Sequence, residues 1–208
     1  MEAKQGQQRR AFWLKHLHQW HWISSALCLI GMILFAATGI TLNHASQIEA
    51  KAAVLSQKAQ LPEPLRATLE GAQTEGKAPL PAELVHWLQQ QWSLEAEQVE
   101  AEWSDGEIYL SLPRPGGDAW VSIELEDGAV EYEQTDRGWI SYFNDLHKGR
   151  NAGAAWSWFI DVFAVASLVF CITGLCLLQI HAANRPTTWP VVGLGLVIPL
   201  VLAILFIH

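Results

Sequence analysis

Three stretches of this chain are apolar for long enough to cross a bilayer, and the polar segments between them carry the periods of ordinary secondary structure. Trp22–Leu42 contains no charged residue over 21 positions, Trp156–Ile180 contains only Asp161, and Trp189–Ile207 contains none over 19. At about 1.5 Å per residue each is long enough for a hydrocarbon core of about 30 Å, so three transmembrane helices are expected. The helical pattern of the first runs on past Leu42 into Asn43, His44 and the amphipathic ASQIEAKAAVLSQKA, with Pro62 and Pro64 as its expected stop. Residues 61–80, rich in proline and glycine, read as a linker or irregular cap. Apolar positions 80, 84, 85, 88 and 92 then recur at helical spacing.

Beyond Trp92 the period changes to two. Val99–Trp103, Ile108–Leu112, Ala119–Leu125 and Ala129–Glu133 alternate, separated by Ser104-Asp105-Gly106, Pro113–Gly117 and Asp127-Gly128. Asp-Gly between alternating runs is a strong hairpin signal. One helix and a meander of about four strands make a small α+β module. Gly138–Leu146 starts a further helix, expected to run along the membrane interface toward the second span. The predicted fold is therefore a membrane α-helical protein of three transmembrane helices, with a small α+β module between helices one and two. Its segments are a polar, basic N-terminus (1–15) that becomes helical only near Phe12-Trp13, helix one (16–45), the module (46–138), the interfacial segment with helix two (139–182), and helix three (188–208).

Charge orients this plan. Lys4, Arg9, Arg10 and Lys15 precede the first span and Arg185 follows the second, while Lys148 and Arg150 lie on the opposite side. Positive residues favour the cytoplasmic face, which places the N-terminus inside, the module in the periplasm of a bacterial inner membrane, and His208 outside. The first apolar run is too long for a cleaved leader and no small-x-small site follows it, so it reads as a signal anchor. Between Asn43 and Leu146 there are 19 acidic residues against six basic ones, a balance that excludes nucleic acid and favours basic proteins or cations as partners. All three cysteines (Cys28, Cys171, Cys176) fall within spans, so no disulfide framework exists and they read as small buried packing residues.

The candidate chemistry lies at the ends of the spans. Phe35–Leu42 and Phe170–Leu177 both read F-x-x-T-G-x-x-L, each preceded at a distance by Leu-His (Leu17-His18, Leu146-His147) and followed by another histidine (His44, His181). Two spans joined by a segment on one side run in opposite directions, so the copies form an inverted repeat. His18 then faces His181 at one surface and His44 faces His147 at the other. Imidazole pairs at helix ends suit haem, whose iron takes a nitrogen lone pair while the other ring N–H is held by a neighbour such as Asn43 or Gln179. The expected axial ligands are His44 with His147, and His181 with either His18 or His21, for one or two haem b groups. His21 and His44 stand about 35 Å apart on a straight helix, a long gap between two haems, so a single-haem protein stays open. His16 and His208 read as interfacial residues, and the tryptophans of KHLHQWHW as a membrane-interface belt. Asp161, the one charge inside the spans, is a candidate for proton release or quinol oxidation, or a polar tie between helices. No hydrolase, nucleotide-triphosphate or dinucleotide motif is present, so electrons would come from quinol or a partner protein.

On LHQWHWISSA, FAATGITLNHA, the helix-plus-hairpins module and NDLHKGRNAGAAWSWFIDVFA leading into FCITGL, the chain resembles the PepSY-associated transmembrane helix family over nearly its whole length. The resemblance implies kinship with haem-binding membrane reductases, including those acting on siderophore-bound iron, and with proteins that work beside periplasmic flavoproteins. With three spans and one module the chain departs from the larger reductases, which implies a homo-oligomer or a subunit beside a redox partner. The competing implication is a non-redox anchored module that binds a periplasmic partner or regulates a peptidase, as soluble PepSY domains do in protease propeptides.

Overall fold

A computed structural model describes residues 2–48, 51–71, 75–97 and 99–207. The expected emergence of His208 lies outside the described residues, as do residues 49–50 of the amphipathic stretch and 72–74 of the expected linker. The chain divides into two compact units, Met1–Leu34 with Trp158–His208, and Phe35–Ser157.

The first unit is helical. Among the described residues three helices are long and apolar enough to span a membrane: α1 (Glu2–Asn43), α5 (Gly153–His181) and α6 (Thr188–Phe206). Helix α1 is already formed at Glu2, well before Phe12, so the expected frayed start is corrected: nothing in residues 2–15 is a strong breaker except Gly6, and the helix propagates through it. Within this unit α1 approaches α5 closely at Gly31, where a Cβ would fall 2.4 Å from Phe163 Cε2. Small residues permit such approach between membrane helices. Only Cys28 of the three cysteines is buried; Cys171 and Cys176 are exposed on α5, which corrects their expected burial. The apolar window of α6 has no buried residue, as suits a helix whose solvent is lipid.

The second unit contains the module. Its described strands are β1 (Ala53–Gln60), β2 (Gly76–Pro79), β3 (Glu100–Ser104), β4 (Glu107–Ser111), β5 (Gly117–Glu124) and β6 (Ala129–Asp136). They form one antiparallel sheet in the order β1-β6-β5-β4-β3-β2. Helices α2 (Glu63–Glu70) and α3 (Ala82–Trp92) supply Leu65, Leu69, Leu84, Val85 and Leu88 to its core. The α+β expectation holds, with two elements more in the sheet than the four strands anticipated. Residues 53–60 are an edge strand and not a continuation of α1, which ends at Asn43. The amphipathic pattern there is weak, and pairing with all of β6 outweighs helix propensity. Pro62 and Pro64 accordingly open α2 and do not close α1, because a proline at a first helical position lacks only an N–H that would be unpaired anyway. The expected linker therefore contains α2 and β2.

The register explains the alternation. Ala59, Val130, Ile123, Ile108 and Trp103 lie across from one another on the core side. One position along, Lys58, Glu131, Ser122, Tyr109, Glu102 and Lys77 form a row on the other side, with lysines on both edge strands. Charged edges discourage pairing with another sheet. Gly106 and Gly128, with φ of 82° and 74°, turn the two Asp-Gly hairpins. Within the same unit follows α4 (Gly138–Lys148), as anticipated.

Two outcomes follow for the module. Leu88 is 0% exposed, so Leu88→Ala should lower its stability by about 2–5 kcal/mol, measured by denaturant unfolding of the full chain. Burial pushes the Tyr132 phenol above 10.0, with Arg114 acting weakly the other way. The neutral phenol is thus favoured in the folded state, so this contribution is complete below pH 10.0 and is lost as pH rises through the raised value. In Tyr132→Phe that part of the alkaline loss of stability should disappear.

Candidate functional site

Histidines 18 and 21 are three residues apart on α1 and therefore share a face, about 60° apart around the helix. The ring centre of His18 lies 6.0 Å from that of His181, the last residue of α5, at an interplanar angle of 89°. His21 points instead at the second F-x-x-T-G copy. It stacks on Phe170 with ring centres 4.7 Å apart, and its Nδ1 lies 3.0 Å from Thr173 Oγ1 and 3.2 Å from the Phe170 carbonyl. Its Cε1 is so close to Gly174 that a Cβ there would sit 3.2 Å away.

The first copy does the same in the second unit. His147, near the end of α4, places Nδ1 2.7 Å from Thr38 Oγ1, with the Phe35 ring 4.9 Å away and Gly39 beneath its Cε1. In both copies phenylalanine flanks the imidazole, threonine binds it and glycine leaves room for it. Three residues before His147, buried Asn144 accepts a 2.7 Å bond from Thr41. The corresponding position before His21 is His18.

The trailing histidines do not match. His181 follows Gly174 by seven residues, whereas His44 follows Gly39 by five, which turns the two side chains about 200° apart around their helices. Among the described residues no ring contact joins His44 to His147; the only hydrogen bond of the His44 ring runs from Nδ1 to the Ile40 carbonyl, at 3.0 Å. The structure thus brings together His18 with His181, but not His44 with His147. His16 packs its ring against Phe12. Asp161 is exposed on α5, with no salt bridge among the described residues.

Hydrogen bonding determines which ring nitrogen is available. A carbonyl oxygen can only accept, so Nδ1 carries the proton in His18 (to Leu14 O, 2.8 Å), His44, and His181 (to Leu177 O, 2.8 Å). His21 shares that constraint through Phe170 O. The hydroxyls of Thr38 and Thr173 donate to carbonyls of their own helices, leaving oxygen lone pairs to accept from His147 and His21. All five imidazoles therefore have Nδ1 engaged, and none has a hydrogen bond at Nε2 among the described residues. His86 differs, with Nε2 held by Gln90 at 2.7 Å.

A neutral imidazole with Nδ1–H held and Nε2 unengaged is a metal-ligating tautomer. Among the described residues no three His, Cys, Asp or Glu side chains gather as a cage for a bare ion. A haem would need two imidazole donors and no cage. By the chemistry of their nitrogens His18 and His181, on separate helices with ring centres 6.0 Å apart, are the residues that would hold it. A mostly apolar cleft of about 360 Å³, lined by Phe12, Trp13, Leu17, Trp20, Val169 and Thr173 and by the imidazole of His16, opens in the same helical unit. Sequence reasoning missed Thr38, Thr41, Asn144 and Thr173 as partners, although the repeated Thr-Gly pair was their signal.

These features define a membrane protein with three candidate spans and a six-stranded antiparallel module between the first and second. The chain belongs to the PepSY_TM-like family, whose model matches residues 12–208. No curated protein and no solved structure gives a significant match to it. Of the polar contacts, the buried Thr41–Asn144 bond should matter for stability: Asn144→Ala is expected to cost about 1–3 kcal/mol in unfolding measurements, and His44→Ala, at an exposed ring, much less.

Proposed function

We propose that this protein binds haem b in the membrane and passes electrons from quinol or a partner protein to a periplasmic acceptor, a ferric chelate or a flavoprotein. The observation that carries this reading is the His18–His181 pair: rings 6.0 Å apart, each with Nδ1 tied to the carbonyl four residues earlier on its own helix. Those backbone bonds hold the tautomer and restrict ring rotation, so both imidazoles are arranged to donate Nε2 without further ordering. Bound there, haem supplies a one-electron couple. The chain's part is to orient the two donors on separate helices. In the other repeat copy Asn144 stands where His18 would, and Ser46, seven residues after Gly39, stands where His181 would, which favours one haem over two. The N-terminal basic cluster supports a cytoplasmic start and hence a periplasmic module, whose acidic surface suits cationic or basic acceptors.

The test is the absorption spectrum of the full-length protein purified in detergent after supplementation with haemin. A Soret band that shifts on dithionite addition is expected, with about one haem per chain. His18→Ala and His181→Ala should each abolish it, and His44→Ala should retain it. A colourless wild-type preparation overturns the proposal.

A further inference from the structure

The sequence alone leaves His18 and His21 equivalent as ligands, and the geometry separates them. His21 is the residue of α1 that reaches across to α5: its Nδ1 bonds Thr173, its ring lies on Phe170 with an interplanar angle of 15°, and its edge rests on Gly174. Thr173 is itself buried and donates to Val169, so its oxygen is fixed as an acceptor. Three residues back along α1, on the same face, His18 is exposed and meets the ring of His181 on α5. One turn of α1 thus carries a docked imidazole and a presented one.

We infer that His21 is a positioning residue: held in the Phe170-Thr173-Gly174 socket, it sets the register of α1 on α5 that brings His18 opposite His181. This rests on the haem reading for its consequence, but not for the clamp itself. A slip of one residue along α1 would move His18 by about 1.5 Å and turn it about 100°, which would separate the ring pair. Glycine at 174 is part of the device, because a Cβ 3.2 Å from His21 Cε1 would make the ring give by a few tenths of an ångström. The other copy docks His147 on Thr38 by the same rule, and among the described residues no imidazole ring contact accompanies it. The repeat is therefore a histidine-holding element, and only one of its copies serves a His–His site.

Two measurements on the full-length protein in lipid nanodiscs test this. Haemin titration should show that His21→Ala and Thr173→Val still bind haem, with affinity weakened roughly 10–100-fold, the usual effect of losing a partner that orients a ligand. Thr173→Ser should restore affinity, and Thr38→Val should leave it unchanged. Loss of haem in His21→Ala as complete as in His18→Ala, or unaltered affinity in Thr173→Val, overturns the inference. The second measurement is made without haem. Imidazole 15N spectra should show His21 with its proton on Nδ1. Thr173→Val should leave that proton to the Phe170 carbonyl alone and shift the signals of His21, His18 and His181, while Thr38→Val should not. If the wild type takes up no haem but these shifts occur, the haem reading fails and the clamp stands; if haem binds and the shifts do not occur, the clamp fails.

Discussion

The arrangement depends on one bond made where water cannot substitute for it: the Nδ1–H of a histidine given to a threonine oxygen on another helix. In hydrocarbon there is little hydrophobic drive to hold helices together, so packing and interhelical hydrogen bonds must do it. Such a bond contributes about 0.5–2 kcal/mol by membrane-protein measurements, modest on its own. Its leverage comes from direction. A neutral imidazole with one nitrogen committed has one orientation and one free lone pair, so the bond that docks the helix also decides what the ring can do next. The helical carbonyls that hold His18, His44 and His181 achieve the same protonation without joining helices.

The module obeys a different physics. It buries Leu69, Leu84, Leu88, Ile108, Leu110, Val121, Ile123 and Val130 almost completely, a conventional aqueous core beneath one face of a sheet. Its other face carries the stacked Tyr109–Trp120 pair among glutamates and keeps the sheet in water. Nothing about this core requires a membrane. What the module shares with the helical unit is alternation read at two periods, two residues in the strands and about 3.6 in the helices.

That difference decides what could be read in advance. Uncharged runs of 19 or more residues have one physical explanation, and the strands flanking Gly106 and Gly128 announce themselves through Asp-Gly turns. Strand β1 does not, because an edge strand is defined by its partner, here 69 to 83 residues away, and local propensity at Ala53–Gln60 is ambiguous. Prolines 62 and 64 were visible as punctuation, yet a proline stops one helix and starts another with equal ease. At the site, the repeat and its histidines were legible, but motif order leaves His18 and His21 equal beside His181. The departure of His44 was not obvious from motif order. It follows from counting: five residues after a glycine and seven residues after a glycine are opposite sides of a helix.

Counting also narrows the chemistry. An inverted repeat invites a symmetrical assignment, with the same imidazole pair at each end. The repeat here is symmetrical only in its socket, and the flanking residues break that symmetry, with His18 and His181 at one copy and Asn144, bonded to Thr41, and Ser46 in their places at the other. A threonine–asparagine bond is self-contained, since Thr41 donates and Asn144 accepts, and it offers no lone pair shaped for iron. The His18–His181 pair leaves two nitrogens of exposed rings unengaged by other side chains among the described residues, open to an occupant. On the proposed reading that occupant is haem, and the second copy keeps the fold of the site without its chemistry.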